Sequence, residues 1–225
     1  MARTTQTGRR AAVVGVGAVA AVASAVAFSP GADAATLTLK HTGTITTHLK
    51  TLNQDLVFQT TETTKVDANT FAVSSTITPS TARSSINLLN YKIGSISGSL
   101  PAVTMQVAIL PDGPATGNTT FNPDGSGDLN VVQKLKVQIQ RVEPLGLKGI
   151  NLVPNTCISS KTASLALTAH VGYDDDEGLE IFGPINLKGT LDIPAFANCG
   201  LLTPILNSIA SGPGNDVTIA LGAAA

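Results

Sequence analysis

The stretch of this sequence with the densest set of metal-binding side chains is "YDDDEG", Tyr173 to Gly178, in which four carboxylates follow one another. Calcium and other hard cations are held by clustered carboxylate and carbonyl oxygens in loops. The simpler interpretation is a solvated turn whose charges keep the end of a strand soluble, and we favour it. Calcium binding is therefore a weak hypothesis for the acidic residues of this turn, which are Asp174, Asp175, Asp176 and Glu177.

A second weak calcium candidate is "DGSGD", in which Asp124, Ser126 and Asp128 occupy alternate positions. This spacing resembles the start of an EF-hand loop. An EF-hand needs a glutamate at the twelfth position of the loop, and the residue found there is Leu135. We therefore predict a glycine-rich hairpin at this point and favour no metal site in the chain.

The residue patterns of common catalytic sites are missing from the sequence. His41 and His48 lack the spacing of metal ligands, and His170 stands alone on the polar side of its predicted strand, so we expect exposed strand residues. A Ser-His-Asp hydrolase often places its nucleophile in G-x-S-x-G, whereas "GSISG" has Ile96 in the middle. HExxH, the P-loop and GxGxxG do not occur either. We predict no catalytic residues, no cofactor-binding residues and no cofactor, and an enzyme is the less favoured interpretation.

The two cysteines, Cys157 and Cys199, are expected to form a disulfide bond. The sequence around them offers neither a CxxC partner nor a nearby histidine, which argues against a reactive thiol or a metal site. Disulfides form in the oxidising surroundings outside the cytoplasm. Closing a loop of roughly forty residues stabilises a fold by about 4 kcal/mol in the chain-entropy model.

The N-terminus has the three parts of a secretory signal peptide. "MARTTQTGRR" is basic, "AAVVGVGAVAAVASAVAF" is uncharged and apolar, and "SPGADAA" offers an A-x-A cleavage site. We predict a signal peptide at residues 1–34, with Ala35 as the first residue of the mature chain. A membrane anchor is the alternative, although the apolar run is at the short end for one. Arg9 and Arg10 leave the choice between Sec and twin-arginine export open.

Charge and composition narrow the class of partner. Residues 1–34 contain three of the 14 basic and one of the 15 acidic residues, so the rest carries 11 basic and 14 acidic residues, a net charge near −3. That charge gives no basic surface for nucleic acid. Aromatic residues make up 4% and tryptophan is absent, which argues against sugar-binding or base-stacking faces. No second apolar run is long enough for a transmembrane segment. The expected partner is an unknown envelope component or an apolar small molecule.

Most of the mature chain alternates apolar and polar residues with a period of two. In "AVTMQVAIL", for example, Val103, Met105, Val107 and Ile109 fall on one side. Such alternation is typical of antiparallel sheets with one buried face, and turn signals such as "NPDGSGD" and "GPGND" separate the segments. We predict a single all-β domain at residues 35–225, an antiparallel β-sandwich with one short C-terminal helix. An open β-barrel is the alternative.

The short helix is predicted from "CGLLTPILNSIASGPGN". Thr203 is a natural N-cap, and Pro204 fits the first helical position. Apolar residues then recur at helical spacing and make one stripe, before Gly212 and Pro213 end the helix. A helix over 204–210 is too short to be stable alone. We therefore expect it to lie over one end of the core, held there by the disulfide at Cys199.

The same C-terminal region carries a family resemblance. Ile193 to Asn215 contains an "IP-x-F-x-x-CG-x-LTP-x-LN-x-x-x-SGPGN" run, and an earlier "TC" supplies the second cysteine. Over roughly its last seventy residues the chain resembles exported actinobacterial proteins of unknown function. The resemblance implies secretion, β structure and the disulfide, and it implies no activity.

Taken together, these patterns predict a secreted or cell-envelope protein of interaction or structural type without catalytic activity. The alternative is an extracytoplasmic carrier that holds a lipid-like apolar ligand in a cavity between the sheets. A carrier needs a cavity lined by apolar side chains, whereas an interaction module has a filled core and an exposed patch.

Overall fold

The computed structural model describes residues 36–86, 91–93, 96–98, 103–144, 147, 149–174 and 178–225. All of them belong to one compact unit. The predicted signal peptide, and the acidic residues Asp175, Asp176 and Glu177, lie outside the described residues. Within the described part of the chain, no helix is long and apolar enough to cross a membrane.

Strands dominate the described chain, which confirms the predicted all-β class with one short helix. The α-helix, α1 (Thr203–Ala210), follows a turn of 3-10 helix at Gly200–Leu202. The strands are, in chain order, β1 (Thr36–Leu49), β2 (Gln54–Asp67), β3 (Ala72–Pro79), β4 (Thr81–Ile86), β5 (Tyr91–Ile93), β6 (Ile96–Gly98), β7 (Val103–Pro111), β8 (Ala115–Phe121), β9 (Gly127–Pro144), β10 (Ile158–Ser159), β11 (Ala163–Val171), β12 (Tyr173–Asp174), β13 (Gly178–Leu179), β14 (Ile185–Ile193), β15 (Phe196–Ala197) and β16 (Gly212–Leu221).

Eight of these strands close into an antiparallel barrel. Their order is β11-β14-β16-β1-β2-β3-β8-β9, and β9 pairs with β11 to complete the ring. The register shifts around the ring. If each residue is followed to its partner on the next strand, starting from Thr47 in β1, the path returns to β1 at Leu37, an offset of ten residues. This stagger tilts the strands against the barrel axis. An eight-stranded barrel encloses room for little more than side chains or one small ligand.

The predicted β-sandwich is therefore wrong. The barrel alternative is closer, although the observed barrel is closed and the predicted one is open. Alternation of apolar and polar residues shows only that each strand has one buried face. It does not distinguish two sheets packed face to face from one sheet whose edges pair. The deciding contact is the pairing of β9 with β11, which runs from Leu135 opposite Ala163 to Gly127 opposite Val171.

The sheet extends past the closed ring because several strands change partner. The long strand β9 pairs with β8 and β11 through its first half and with β7 and β10 through its second half. β4 pairs with β7, and β15 pairs with β10, so the sheet continues as β4-β7-β9-β10-β15. This extension reaches the end of the barrel at which α1 contacts β15.

The inner faces of the strands carry the hydrophobic core. Glycines on these faces, Gly117 and Gly189 among them, allow the strands to approach and bend. A Cβ at Gly117 would lie 1.9 Å from the carbonyl oxygen of Asn130, and one at Gly189 would lie 2.0 Å from that of Ala166. Only glycine is accommodated at such points. The largest fully buried apolar side chains are Phe58, Met105, Leu135, Ile139, Leu167 and Val217.

The predicted disulfide between Cys157 and Cys199 is confirmed. The two Cα atoms lie 4.3 Å apart, and both residues are fully buried. The bond joins the segment before β10 to the turn that leads into α1. It therefore fixes the position of the helix on the barrel.

The predicted helix is also confirmed, but it begins at Thr203, one residue earlier than predicted. Its apolar stripe is buried, with Leu206 2% and Ile209 8% exposed. The predicted N-cap, Thr203, is the first helical residue, and its Oγ1 donates to the carbonyl of Gly200 and accepts from the backbone N–H of Cys199. The N-terminus differs because the 3-10 turn runs directly into the helix. We call this end of the barrel the helix end.

Candidate functional site

The turns between strands at the other end of the barrel form the candidate site. β14 runs toward α1 and β16 returns from it, so the turns between β2 and β3, β8 and β9, and β11 and β14 gather at the end opposite the helix. We call this the loop end and define it by the described residues of the segments 67–72, 121–128 and 172–184. The C-terminal residues join it, since the backbone N–H of Ala224 donates to the carbonyl of Phe182 at 2.9 Å.

Four aromatic side chains are exposed at the loop end, and we call them the aromatic group. Their exposed fractions are 40% for Phe71, 43% for Phe121, 48% for Tyr173 and 57% for Phe182. Phe71 and Phe121 meet edge to face, with ring centroids 4.6 Å apart. The Tyr173 ring lies against Gly125, where a Cβ would come within 2.9 Å of the ring. Large apolar side chains exposed side by side, as Phe71 and Phe121 are, make this surface a candidate for binding another molecule.

Phe71 is held in a strained backbone conformation. Its φ is 55°, in the left-handed region that bulky residues avoid. Its N–H donates to the carbonyl of Asp67 at 2.8 Å, and its carbonyl accepts from Thr119 at 3.3 Å. The same turn lowers the pKa of Asp67, because the backbone N–H and the hydroxyl of Thr70 donate to its carboxylate. Strain of this kind persists only where the surroundings impose it, and it concentrates at functional sites.

The three loop-end segments are strongly acidic. They contain eight aspartate or glutamate residues and no lysine or arginine, whereas the whole chain has 15 acidic residues. Among the described carboxylates, those of Asp124, Asp128 and Glu180 are exposed, and exposed charges create a negative potential at the surface that extends about one Debye length, or roughly 10 Å. The acidic residues are Asp67, Asp124, Asp128, Asp174, Asp175, Asp176, Glu177 and Glu180.

The "DGSGD" turn is held by its own hydrogen bonds. One oxygen of Asp124 accepts from the backbone N–H of Ser126 at 3.0 Å and from its hydroxyl at 2.7 Å. Asp128 accepts from Asn122 at 3.1 Å and from the ring of His170 at 2.9 Å. Because donors favour the charged carboxylate, the hydroxyl of Ser126 lowers the pKa of Asp124, and His170 lowers the pKa of Asp128. Among the described residues, no three histidine, cysteine or acidic side chains gather as a metal site.

The histidines do not share one environment. His170 is exposed, as predicted, and His48 donates to Asp55 across the β1–β2 pair at 2.7 Å on the outer surface. The prediction for His41 is wrong, because this residue is only 3% exposed and its Nδ1 donates to the carbonyl of Gly222 at 2.9 Å. The sequence contained a signal for this, since His41 has the same parity in β1 as the buried Leu39.

A polar network inside the barrel is a feature that the sequence analysis missed. Ser75 is 2% exposed, and its hydroxyl donates to Oε1 of Glu62. The hydroxyl of Thr64 lies 3.0 Å from the same oxygen and 3.2 Å from that of Ser75. Parity could have indicated it, because Glu62 has the parity of the buried Phe58 in β2. The network satisfies polar groups in an apolar interior, which is a structural task.

A small cavity lies inside the barrel, beside the place where β3 and β8 part. β3 pairs with β8 only through residues 72–75, and the pairing resumes between β4 and β7. The cavity holds about 20 Å³ and is lined by aliphatic side chains, Thr47 and Gln133. The Nε2 of Gln133 donates to the carbonyl of Gly113 at 3.1 Å, while its Oε1 has no partner among the described residues. The volume is that of about one water molecule.

Comparison of the chain with protein families, with curated proteins and with solved structures finds no significant match. Function must therefore be inferred from the loop end and from the interior of the barrel.

Proposed function

We propose that this protein is a non-catalytic binding module of the cell envelope or the extracellular space, and that it binds its partner through the loop end. The observation that carries the proposal is the aromatic group. Aromatic side chains are enriched at protein interfaces and supply much of their binding energy. The chain has few aromatic residues, and four of them are exposed together at one end of the barrel.

The backbone of Phe71 supports the same surface. A left-handed φ at a phenylalanine costs about 1–3 kcal/mol, and here the neighbouring β8 strand helps to hold it. The strained turn brings the Phe71 ring against Phe121. Without a bound partner, this arrangement exposes apolar area and brings no evident gain in stability.

Action outside the cytoplasm is supported by the disulfide and by the predicted signal peptide. A buried disulfide is typical of proteins that fold in an oxidising compartment. The resemblance of the C-terminal run to exported actinobacterial proteins agrees with this location.

Carriage of an apolar ligand inside the barrel is less well supported. Ligand pockets typically measure about 300–1,000 Å³, and the cavity beside Gln133 holds about 20 Å³. The inner positions are filled by aliphatic side chains such as Leu135 and Leu167. A lipid-like ligand would have to displace these side chains from the core.

Site-specific photo-cross-linking tests the proposal. Benzoylphenylalanine is placed at Phe121 in one variant and at Leu201, which is 97% exposed at the helix end, in a control variant. Both variants are expressed and irradiated in the producing cells. We expect a discrete covalent adduct from position 121 that is lost when Phe71 is changed to serine, and none from position 201.

Equal cross-linking from both positions would show that the aromatic group has no special role. The absence of any adduct from position 121, in protein that is folded and exported, would contradict binding at the loop end.

A further inference from the structure

We infer that the cavity beside Gln133 binds one hydroxyl group, which donates a hydrogen bond to Oε1 of Gln133. A water molecule and a short alcohol are the two sources of a hydroxyl group that fit this site. The inference goes beyond the proposed function and is independent of it, because the cavity lies in the interior of the barrel and not at the loop end.

Gln133 places an acceptor without a donor in the core of the barrel. The residue is 3% exposed and lines the cavity, and within the described part of the chain its Oε1 has no hydrogen-bond partner. Buried polar atoms are nearly always hydrogen-bonded, to protein or to a bound molecule, because burial without a partner is costly. A molecule that enters the cavity and donates to this oxygen is therefore bound favourably.

The side-chain amide of Gln133 cannot turn over to remove this imbalance. Its Nε2 donates to the backbone carbonyl of Gly113 at 3.1 Å, in the turn between β7 and β8, and to the carbonyl of Lys134. Both partners are carbonyl oxygens, which accept hydrogen bonds and never donate them, so exchanging the amide nitrogen and oxygen would break both contacts. The atom left for a ligand is an acceptor, and the ligand must supply a donor.

The lining of the cavity sets the polarity and the size of the ligand. Besides Gln133, the polar residue of the described lining is Thr47, which is 4% exposed and whose hydroxyl can donate to the oxygen of the ligand. The other described lining residues are apolar, so a charged group would lose its hydration there without gaining a counter-ion. A volume of about 20 Å³ holds one small neutral group. A hydroxyl group satisfies these requirements.

The cavity is bounded by partly exposed residues on one side of the barrel. Ile77 and Ile109 are half-buried and Pro111 is exposed, whereas the other described lining residues are buried. These three residues lie where β3 leaves β8 and the pairing resumes between β4 and β7. A hydroxyl group can enter the barrel between them, and the alkyl chain of a short alcohol can then lie against their side chains.

NMR titration with two small molecules of similar size tests the inference. Ethanol has a hydroxyl donor, whereas acetonitrile only accepts hydrogen bonds. Each is added to methyl-labelled protein at concentrations that leave the protein folded. We expect ethanol to shift the methyl signals of Leu165 and Val217, which line the cavity, and acetonitrile to shift them far less.

The same methyl groups distinguish the two sources of the hydroxyl group. Before ethanol is added, we expect nuclear Overhauser effects from a long-lived water molecule to the methyl groups of Leu165 and Val217. Ethanol that occupies the site should abolish them. A long-lived water molecule that ethanol does not displace would support the site and assign its hydroxyl group to water.

Variants test which atoms hold the ligand. Gln133→Met removes the acceptor with little change in shape and should weaken ethanol binding about 2- to 12-fold, the loss of one hydrogen bond. Thr47→Val removes the second polar group and should weaken it by a similar or smaller factor. The matched control, Gln59→Met, makes the same exchange at an exposed position of β2 and should leave the affinity unchanged. Thermal unfolding establishes that each variant is folded.

Three outcomes would overturn the inference. If neither a long-lived water molecule nor ethanol is detected at the lining methyl groups of the wild type, no hydroxyl group binds. Equal shifts from acetonitrile and ethanol would mean that the cavity takes up small molecules without a donor to Gln133. An ethanol affinity that Gln133→Met and Thr47→Val both leave unchanged would place ethanol elsewhere.

Discussion

The two ends of the barrel differ in how their apolar side chains pack: α1 buries a stripe at the helix end, although Leu201 beside it is exposed, whereas the rings at the loop end have no such cover. At the helix end, Leu206 is 2% exposed and the disulfide between Cys157 and Cys199 is fully buried. At the loop end, Phe121 and Phe182 are 43% and 57% exposed. The first arrangement stabilises the fold, since buried apolar area contributes about 25 cal/mol per Å². The second contributes little to folding, which is why we propose that its apolar area serves binding.

Charge divides the molecule in the same way. In sequence, the three segments of the loop end contain eight of the chain's 15 acidic residues. From Cys199 to Asn215, the segment that contains α1 has no charged residue at all. A helix without charged side chains can pack closely on the core, whereas clustered carboxylates must face water. The helix end thus stabilises the fold, and the proposed function assigns recognition to the opposite end of the barrel.

The largest expected effect is loss of the disulfide. Cys199→Ser should lower the free energy of unfolding by roughly 2–5 kcal/mol, because the unfolded chain loses a cross-link that closes a long loop. Chemical denaturation of the wild type and the variant measures this change. A reducing agent should destabilise the wild type and leave Cys199→Ser unaffected. Two free thiols in the unreduced, exported protein would contradict the bond itself.

Truncating one large apolar residue at each end sharpens the comparison. Leu206→Ala should cost roughly 2–5 kcal/mol, as removal of a buried leucine does. Phe121→Ala removes a larger side chain but should cost only about 1 kcal/mol, since the ring is exposed and loses mainly its contact with Phe71. Both values come from the same denaturation experiment. If the two costs are equal, the ends do not differ as described.

The smallest expected effect concerns the Asp128–His170 pair on the outer wall at the loop end. Since the pKa of Asp128 is lowered in the folded protein, the pair stabilises the fold above about pH 4 and loses this contribution as the pH falls further. Its contribution is small because both side chains are exposed. An NMR titration should show the pKa of Asp128 moving up in His170→Ala. A titration curve unchanged by His170→Ala would mean that the hydrogen bond is absent in solution.

Local patterns in the sequence were sufficient for part of this structure. Alternation identified the strands, helical spacing with Pro204 identified α1, and the two cysteines identified the disulfide. The strands and the helix depend on residues that are close in sequence, and two cysteines can form only one intramolecular disulfide. The parity of His41 also indicated burial, and the prediction of an exposed histidine overlooked it.

Closure of the barrel could not be predicted in this way. It depends on the pairing of β9 with β11 and on the register offset that links Thr47 to Leu37 around the barrel. Such register relations are non-local, and alternation is the same in a sandwich and a barrel. The aromatic group was missed for a related reason. Its members lie in separate turns, which only the closed ring brings to one end.

Chemical-shift mapping of isotope-labelled protein, titrated with the partner that the cross-link from position 121 captures, locates the binding surface residue by residue. Binding at the loop end predicts shift changes in residues 67–72, 121–128 and 172–184, with those of α1 at Thr203–Ala210 unchanged. Shifts that move at α1 and not in the three turns would place binding at the helix end. That result would contradict the separation of stability and recognition between the two ends of the barrel.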